Sequence, residues 1–218
     1  MAYADIGDIA SNAVISETYL DGIRANFLAG VPDIFTAEGD IAIATAADTA
    51  ARLAVGAADS VLVAGTARPE WQTMPAARVY NDAAIDPATS SWVTLTFNTE
   101  RFDTDAMHST TTNTSRLTIP TGGDGIYLIG GNVDFDSGGG TGAKDLGLRI
   151  LLGGATIIAQ RLGYENVASV DVSMNIETVY ALAATNYVEL QVYTSVDVNV
   201  LASGNYSPEF YAIWQRRT

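Results

Sequence analysis

His108 is the single histidine of this 218-residue sequence, so a Ser/His/Asp relay or an imidazole general base would have to be built around it. No Gly-x-Ser-x-Gly elbow accompanies any serine, which leaves His108 as a structural residue at the end of a strand. The run GGGTGAKD at 138–145 has the glycines of a phosphate loop, but Ala143 precedes Lys144 and Asp145 stands where a magnesium-holding Ser or Thr is required, so it reads as a solvated loop. Asp103 with Asp105, and Asp134 with Asp136, place carboxylates two residues apart, on one face of an extended chain. Such pairs suit a hard cation, and Asp134 and Asp136 are the candidate calcium ligands. No loop of alternating ligands with a closing Glu completes the site, and a solvent face is the expectation. Paired acids also permit glycoside hydrolysis, although any acidic β-protein offers such pairs by chance. The reading is therefore of a chain that is not an enzyme and takes no cofactor. Its chemistry lies in aromatic contacts, with Tyr164, Tyr180, Tyr187, Tyr193, Tyr206, Tyr211 and Trp214 as the material.

The elements that would carry these residues are strands. In RLTIPTGGDGIYLIGGNVDF, residues 116–135, a turn with Pro120, Gly122, Gly123 and Gly125 precedes a run in which Tyr127, Ile129, Val133 and Phe135 point one way and Asn132 and Asp134 the other. Leu146, Leu148, Ile150 and Leu152 alternate into Gly153-Gly154, and Ile157 and Ile158 resume beyond, a hairpin signal. Alternation recurs at Val170–Ile176, Val188–Val192, Val196–Val200 and Phe210–Trp214. With earlier strands at 78–80 and 92–97, roughly ten short strands fit an all-β fold whose C-terminal part is an antiparallel two-sheet jelly roll. Tyr187 and Tyr193 share parity with Glu189 and Gln191, opposite the valine and leucine face. They lie either at a subunit interface or on the outside, and with Tyr211 they are the candidate interface residues.

The N-terminal third reads differently. Tyr19, Leu20, Ile23, Phe27 and Leu28 have helical spacing, Ser16 can cap the start, and Gly30 with Pro32 ends the run, predicting a short amphipathic helix over about 16–29. Alone it would be marginal, so its apolar face needs a partner. Short alternating pieces follow over 39–64, too small-sided for a core of their own. RPEWQTMP at 68–75 reads as a two-proline connector, dividing the chain into an arm, 1–75, and a knob, 76–218.

The charge of −14, from 25 acidic and 11 basic side chains, argues against nucleic acid and anionic membrane surfaces as partners. No apolar run reaches the roughly 20 residues that span a bilayer, and MAYADIGDIA lacks the pattern of a secretory signal, so synthesis in a cytosol is expected. The absence of cysteine removes disulfides and thiolate chemistry, leaving packing and oligomerisation as the sources of stability.

Two resemblances follow. Gly39-Asp40-Ile41, Ala44-Thr45-Ala46, Thr49, Arg52-Leu53, Val55-Gly56, then Val61-Leu62 and Trp71, resemble a segment recurrent in bacteriophage fibre and minor structural proteins; Asp59-Ser60 replaces the usual Gly-Gln. The order Phe102 to His108, Ile119 to Tyr127, the Gly153-Gly154 hairpin, Val179 to Leu190 and Phe210 to Trp214 resembles the jelly rolls of the tumour necrosis factor and complement globular-head superfamily, with Thr185-Asn186 in place of a Gly-Asp. These resemblances imply a homotrimeric virion protein. Its arm, through Tyr19, Leu20, Ile23, Phe27 and Leu28, would join other virion proteins. Its knob would bind a host surface glycan or protein through loops 109–115 and 137–144, or decorate the capsid or project from the head.

Overall fold

The computed structural model describes residues 20–21, 35–47, 49–58, 60–65, 67–136, 143–165 and 170–218. The described residues form fourteen strands in two compact units, 1–72 and 73–218. Of the expected N-terminal helix only Leu20 and Asp21 are described, and both are helical; Tyr19, Ile23, Phe27 and Leu28 lie outside the described residues.

The N-terminal unit contains two antiparallel hairpins. β1 (Ile41–Ala46) pairs with β2 (Thr49–Leu53), Ile41 opposite Leu53, and β3 (Val61–Ala64) pairs with β4 (Pro69–Gln72), Val61 opposite Gln72. β4 corrects the connector expected over 68–75. Pro69 occupies the first position of an edge strand, where its missing N–H costs no ladder bond, so the proline did not mark a break. Ile43 is buried, whereas Val55, Val61 and Leu62 remain exposed, as expected of strands this short and small-sided.

In the second unit every connection but one crosses between two sheets. β5 (Ala76–Tyr80), β7 (Thr99–Asp103), β9 (Gly125–Phe135), β12 (Val172–Leu182) and β14 (Glu209–Arg216) form the first sheet, in the order β12-β9-β14-β5-β7. β6 (Trp92–Thr94), β8 (Arg116–Thr118), β10 (Lys144–Leu152), β11 (Thr156–Glu165) and β13 (Tyr187–Thr194) form the second, in the order β11-β10-β13-β6, with β8 also on β13. The β10–β11 hairpin alone stays within a sheet. Gly153 and Gly154 there have φ of 62° and 72°, the pair of positive values that a type I′ turn demands. This antiparallel winding is a jelly roll.

The alternation read along β9 decides its placement. Tyr127, Ile129, Val133 and Phe135 face the other sheet and are all but inaccessible, meeting Leu146, Leu148 and Ile150 of β10 and Val188, Leu190 and Val192 of β13 in one core. Phe97 stacks on Phe210 at 5.8 Å inside it. Each such large side chain contributes about 1.5–3 kcal/mol by leaving water.

Two expected strands differ. Phe102–His108 is not one strand: β7 ends at Asp103, whose carboxylate accepts the backbone N–H groups of Asp105 (3.3 Å), Met107 (2.9 Å) and His108 (2.8 Å) and so turns the chain. Phe102 is left exposed. Val196–Val200 buries Val198 and Val200 as its alternation predicts, yet forms only bridges from Val200 to Ile85 and Phe135. The backbone there bonds the end of β9 irregularly: the Asp136 amide donates to the Asn199 carbonyl at 2.9 Å and the Leu201 amide to the Asp134 carbonyl at 2.7 Å, while the Asn199 amide donates to the Asp136 carboxylate instead of a carbonyl.

Candidate functional site

The residues whose types suggested catalysis or metal binding serve the framework. His108 is buried, with Nδ1 3.0 Å from Glu100 Oε1 and Nε2 3.2 Å from the Thr114 carbonyl, and it ties loop 109–115 to β7. Asp134 Oδ1 and Oδ2 accept the hydroxyls of Ser173 (2.7 Å) and Ser203 (3.2 Å); Asp136 Oδ1 and Oδ2 accept the Asn199 backbone and side-chain N–H groups, both at 3.0 Å. Asp134 is buried rather than on the expected solvent face, and a cation at this pair would have to displace a donor from each carboxylate oxygen. Among the described residues no three His, Asp or Glu side chains converge as metal ligands. Lys144 is likewise no loop residue. It opens β10 and is buried, its Nζ donating to the carbonyls of Asp136 and Val170 at 3.3 Å. Residues 137–142 of the expected binding loop lie outside the described residues.

The outer face of the first sheet is built in cross-strand rows. One row is apolar: Val179 opposite Leu128, Leu128 opposite Ile213, and Ile213 opposite Ala76. The next runs Glu177, Gly130, Tyr211, Arg78 and Phe102. Gly130 is required there, since a Cβ would collide with the Tyr211 ring (2.6 Å to Cζ). Tyr211 lies across it and donates its hydroxyl to Glu177 at 2.8 Å; burial, then the Glu177 carboxylate, push its pKa up to about 12. The third row holds Glu209, which is inaccessible to solvent and is gripped by two arginines. Arg78 Nε bonds Oε2, and Arg101 Nε reaches Oε1 at 3.0 Å. The same two side chains extend to the carbonyls of Asn205 and Gly204, both at 3.0 Å, and fix the loop that carries the exposed Tyr206.

Tyr187 and Tyr193 stand on the outer face of the opposite sheet. Arg116 lies 4.0 Å over the Tyr187 ring, and Tyr193 meets Trp92 at 5.5 Å. Tyr211 looks out from the other side of the sandwich. Beside Trp92 the row Thr94, Gln191, Arg149 is linked by hydrogen bonds, Gln191 Nε2 to Thr94 Oγ1 at 2.7 Å and Arg149 Nε to Gln191 Oε1 at 2.6 Å.

One end strand of each sheet, β11 and β12, carries most of the exposed large apolar side chains of the jelly roll: Ile157, Leu162, Tyr164, Val179 and Tyr180, with Val170 just before β12. Edge strands this long and apolar are points of association. Sequence reading found the strands but not this concentration, because which strands end a sheet is absent from local alternation.

In the N-terminal unit the side chains of residues 39–71 meet one another. Asp40 accepts the backbone N–H groups of Thr36 and Ala37 at 2.9 Å and of Val55 at 3.3 Å, and pairs with Arg52 at 3.2 Å. The Thr36 amide, foremost, with the Ala37 amide and Arg52, holds its pKa down at about 2. Trp71 donates Nε1–H to the Ala54 carbonyl at 2.7 Å and lies on Gly56, where a Cβ would meet the ring at 2.6 Å. The Asp, Arg, Val-Gly and Trp of that segment thus lock one another locally.

No protein-family model matches the sequence, and no curated protein does. The chain is similar in structure to murine APRIL (pH 5.0 crystals; 9% identity, TM-score 0.48, 66% of this chain and 100% of that one), to the globular domain of zebrafish complement 1qA (14%, 0.44, 66% and 99%) and to Eiger TNF from S. frugiperda (12%, 0.46, 66% and 94%). The fold itself, read from strand order, is an antiparallel jelly roll.

Proposed function

We propose that this protein is a non-enzymatic structural component of a bacteriophage particle, a homotrimer whose N-terminal unit attaches to the virion and whose jelly-roll knob binds a host surface glycan or protein. The observation that carries the trimer is that one jelly roll presents two different apolar surfaces: the β11 edge, with Ile157, Leu162 and Tyr164 exposed, and the row Val179, Leu128, Ile213 on the outer face of the first sheet. Edge against face is a heterologous contact, and a heterologous contact that closes makes a ring. A stable ring of this kind buries about 1,200–2,000 Å² at each contact. The interlocked motif of residues 39–71 supports the phage assignment through its resemblance to fibre-protein segments. A charge of −14 favours solubility of a many-copy assembly.

Sedimentation equilibrium of the full chain is expected to give three times the monomer mass. Val179→Glu and Leu162→Glu, both at exposed positions, should reduce it to monomer without loss of β structure; a stable wild-type monomer overturns the trimer. Deleting residues 1–75 should leave a folded knob that no longer joins particles. Purified protein should compete with phage adsorption to host cells. Rebinding to stripped particles without effect on adsorption would replace the receptor role with capsid decoration.

A further inference from the structure

Arg149 on the outer face of the second sheet is a cation without a counter-ion. Arg52, Arg78, Arg101 and Arg116 each meet a carboxylate, whereas Arg149 has none among the described residues. Its Nε is committed to Gln191, but Nη1 and Nη2 have no hydrogen-bond partner there, and neither is sealed from solvent. The guanidinium is 4.3 Å from the Trp92 ring centroid, and partial burial draws its pKa down, so the charge is partly dehydrated with no anion beside it among the described residues. Glu189, the acid one row away, is engaged by Ser115 and Arg116. The bed around Arg149 is preformed. Trp92 reaches over Gly147, where a Cβ would meet its ring at 2.8 Å, Tyr193 tilts against it at 43°, and Gln191 is held by Thr94.

We infer that Arg149, Trp92, Tyr193 and Gln191 form a binding site for a carboxylate-bearing sugar: the carboxylate sits on the free Nη groups, the apolar face of the ring rests against the aromatic pair, and hydroxyls meet the amide. Placed on a fork of N–H donors with an aromatic flank, a planar carboxylate gains two parallel hydrogen bonds in a partly desolvated setting. A densely charged polyanion is the wrong occupant, because one cation per protomer cannot offset repulsion from a chain of net charge −14. A polymer with occasional acidic sugars fits. The site stands on the jelly roll alone, while naming a host surface polymer as its source rests on the function proposed above.

The test titrates the full chain, by ligand-observed NMR, with glucuronate, galacturonate and N-acetylneuraminate glycosides, each beside its neutral counterpart, and with a tetraglutamate peptide. Binding of at least one acidic glycoside is expected, weakened about tenfold by neutralising its carboxylate. Arg149→Gln should weaken it to the same extent and Arg149→Lys less, with Trp92→Ala weakening acidic and neutral forms alike. Thermal melts check that each variant folds. Absence of binding by all three glycosides at 10 mM, indifference of binding to Arg149→Gln in a folded variant, or tighter binding of the peptide overturns the site. Glycoside binding without any effect of the protein on phage adsorption would retain the site and remove the receptor function; the reverse result would remove the site alone.

Discussion

Replacing Glu209 by alanine removes the anion from a cluster in which two arginines converge on one inaccessible carboxylate. Breaking a buried ion pair by deleting one partner costs about 3–5 kcal/mol, because a charge is left without compensation. Here the orphaned arginine side chains are 38% and 26% exposed, so both recover part of their hydration and the loss falls at the lower end. An expected cost of about 3 kcal/mol corresponds to a fall of about 6–12 °C in Tm for a unit of this size. The measurement is a thermal melt of the full chain at several concentrations, which separates folding from association. Loosening of loop 203–208 provides a second readout. Arg78 and Arg101 reach the Gly204 and Asn205 carbonyls only while Glu209 aligns them, so chymotrypsin should cut after Tyr206 much faster in the variant. Combining Glu209→Ala with Arg78→Ala should cost less than the sum of the two changes, since they share one interaction. A loss below 1 kcal/mol with unchanged cleavage would refute the reasoning.

Other outcomes follow from the same geometry. Gly125→Ala should destabilise the jelly roll by about 1–3 kcal/mol in chemical denaturation, since a Cβ there meets Trp214 Cδ1 at 2.9 Å and the Arg216 carbonyl at 2.5 Å, neither with room to retreat. Asp40 has a folded pKa of about 2, below its ordinary 3.8, so its contribution to the N-terminal unit is full above pH 4 and disappears as pH falls from 4 towards 2. Hydrogen exchange at the Thr36, Ala37 and Val55 amides should accelerate across that window, and Asp40→Asn should show the acceleration already at pH 7.

The strands with one buried face were legible in the sequence because alternation is a local property. Tyr127 to Phe135 and Val188 to Val192 face the core as their spacing requires, and Gly153-Gly154 marks its hairpin since only glycine accepts two successive positive φ values cheaply. Where a side chain redirected the backbone, as Asp103 does after β7, or a proline sat harmlessly at a strand start, as Pro69 does, local spacing misled. The groups with functional interest were less legible still. Glu209 lies 131 residues from Arg78 and 108 from Arg101, and Arg149 is 42 from Gln191. Only strand order and register bring them together, and only the sheet ends decide that β11 and β12 are edges. The sequence by itself determined which apolar residues of the alternating runs in β9, β10 and β13 leave water, because that is a property of each side chain and its parity. The tertiary structure decided which polar residues meet one another, because Coulomb and hydrogen-bond energies depend on distances that the chain order does not contain.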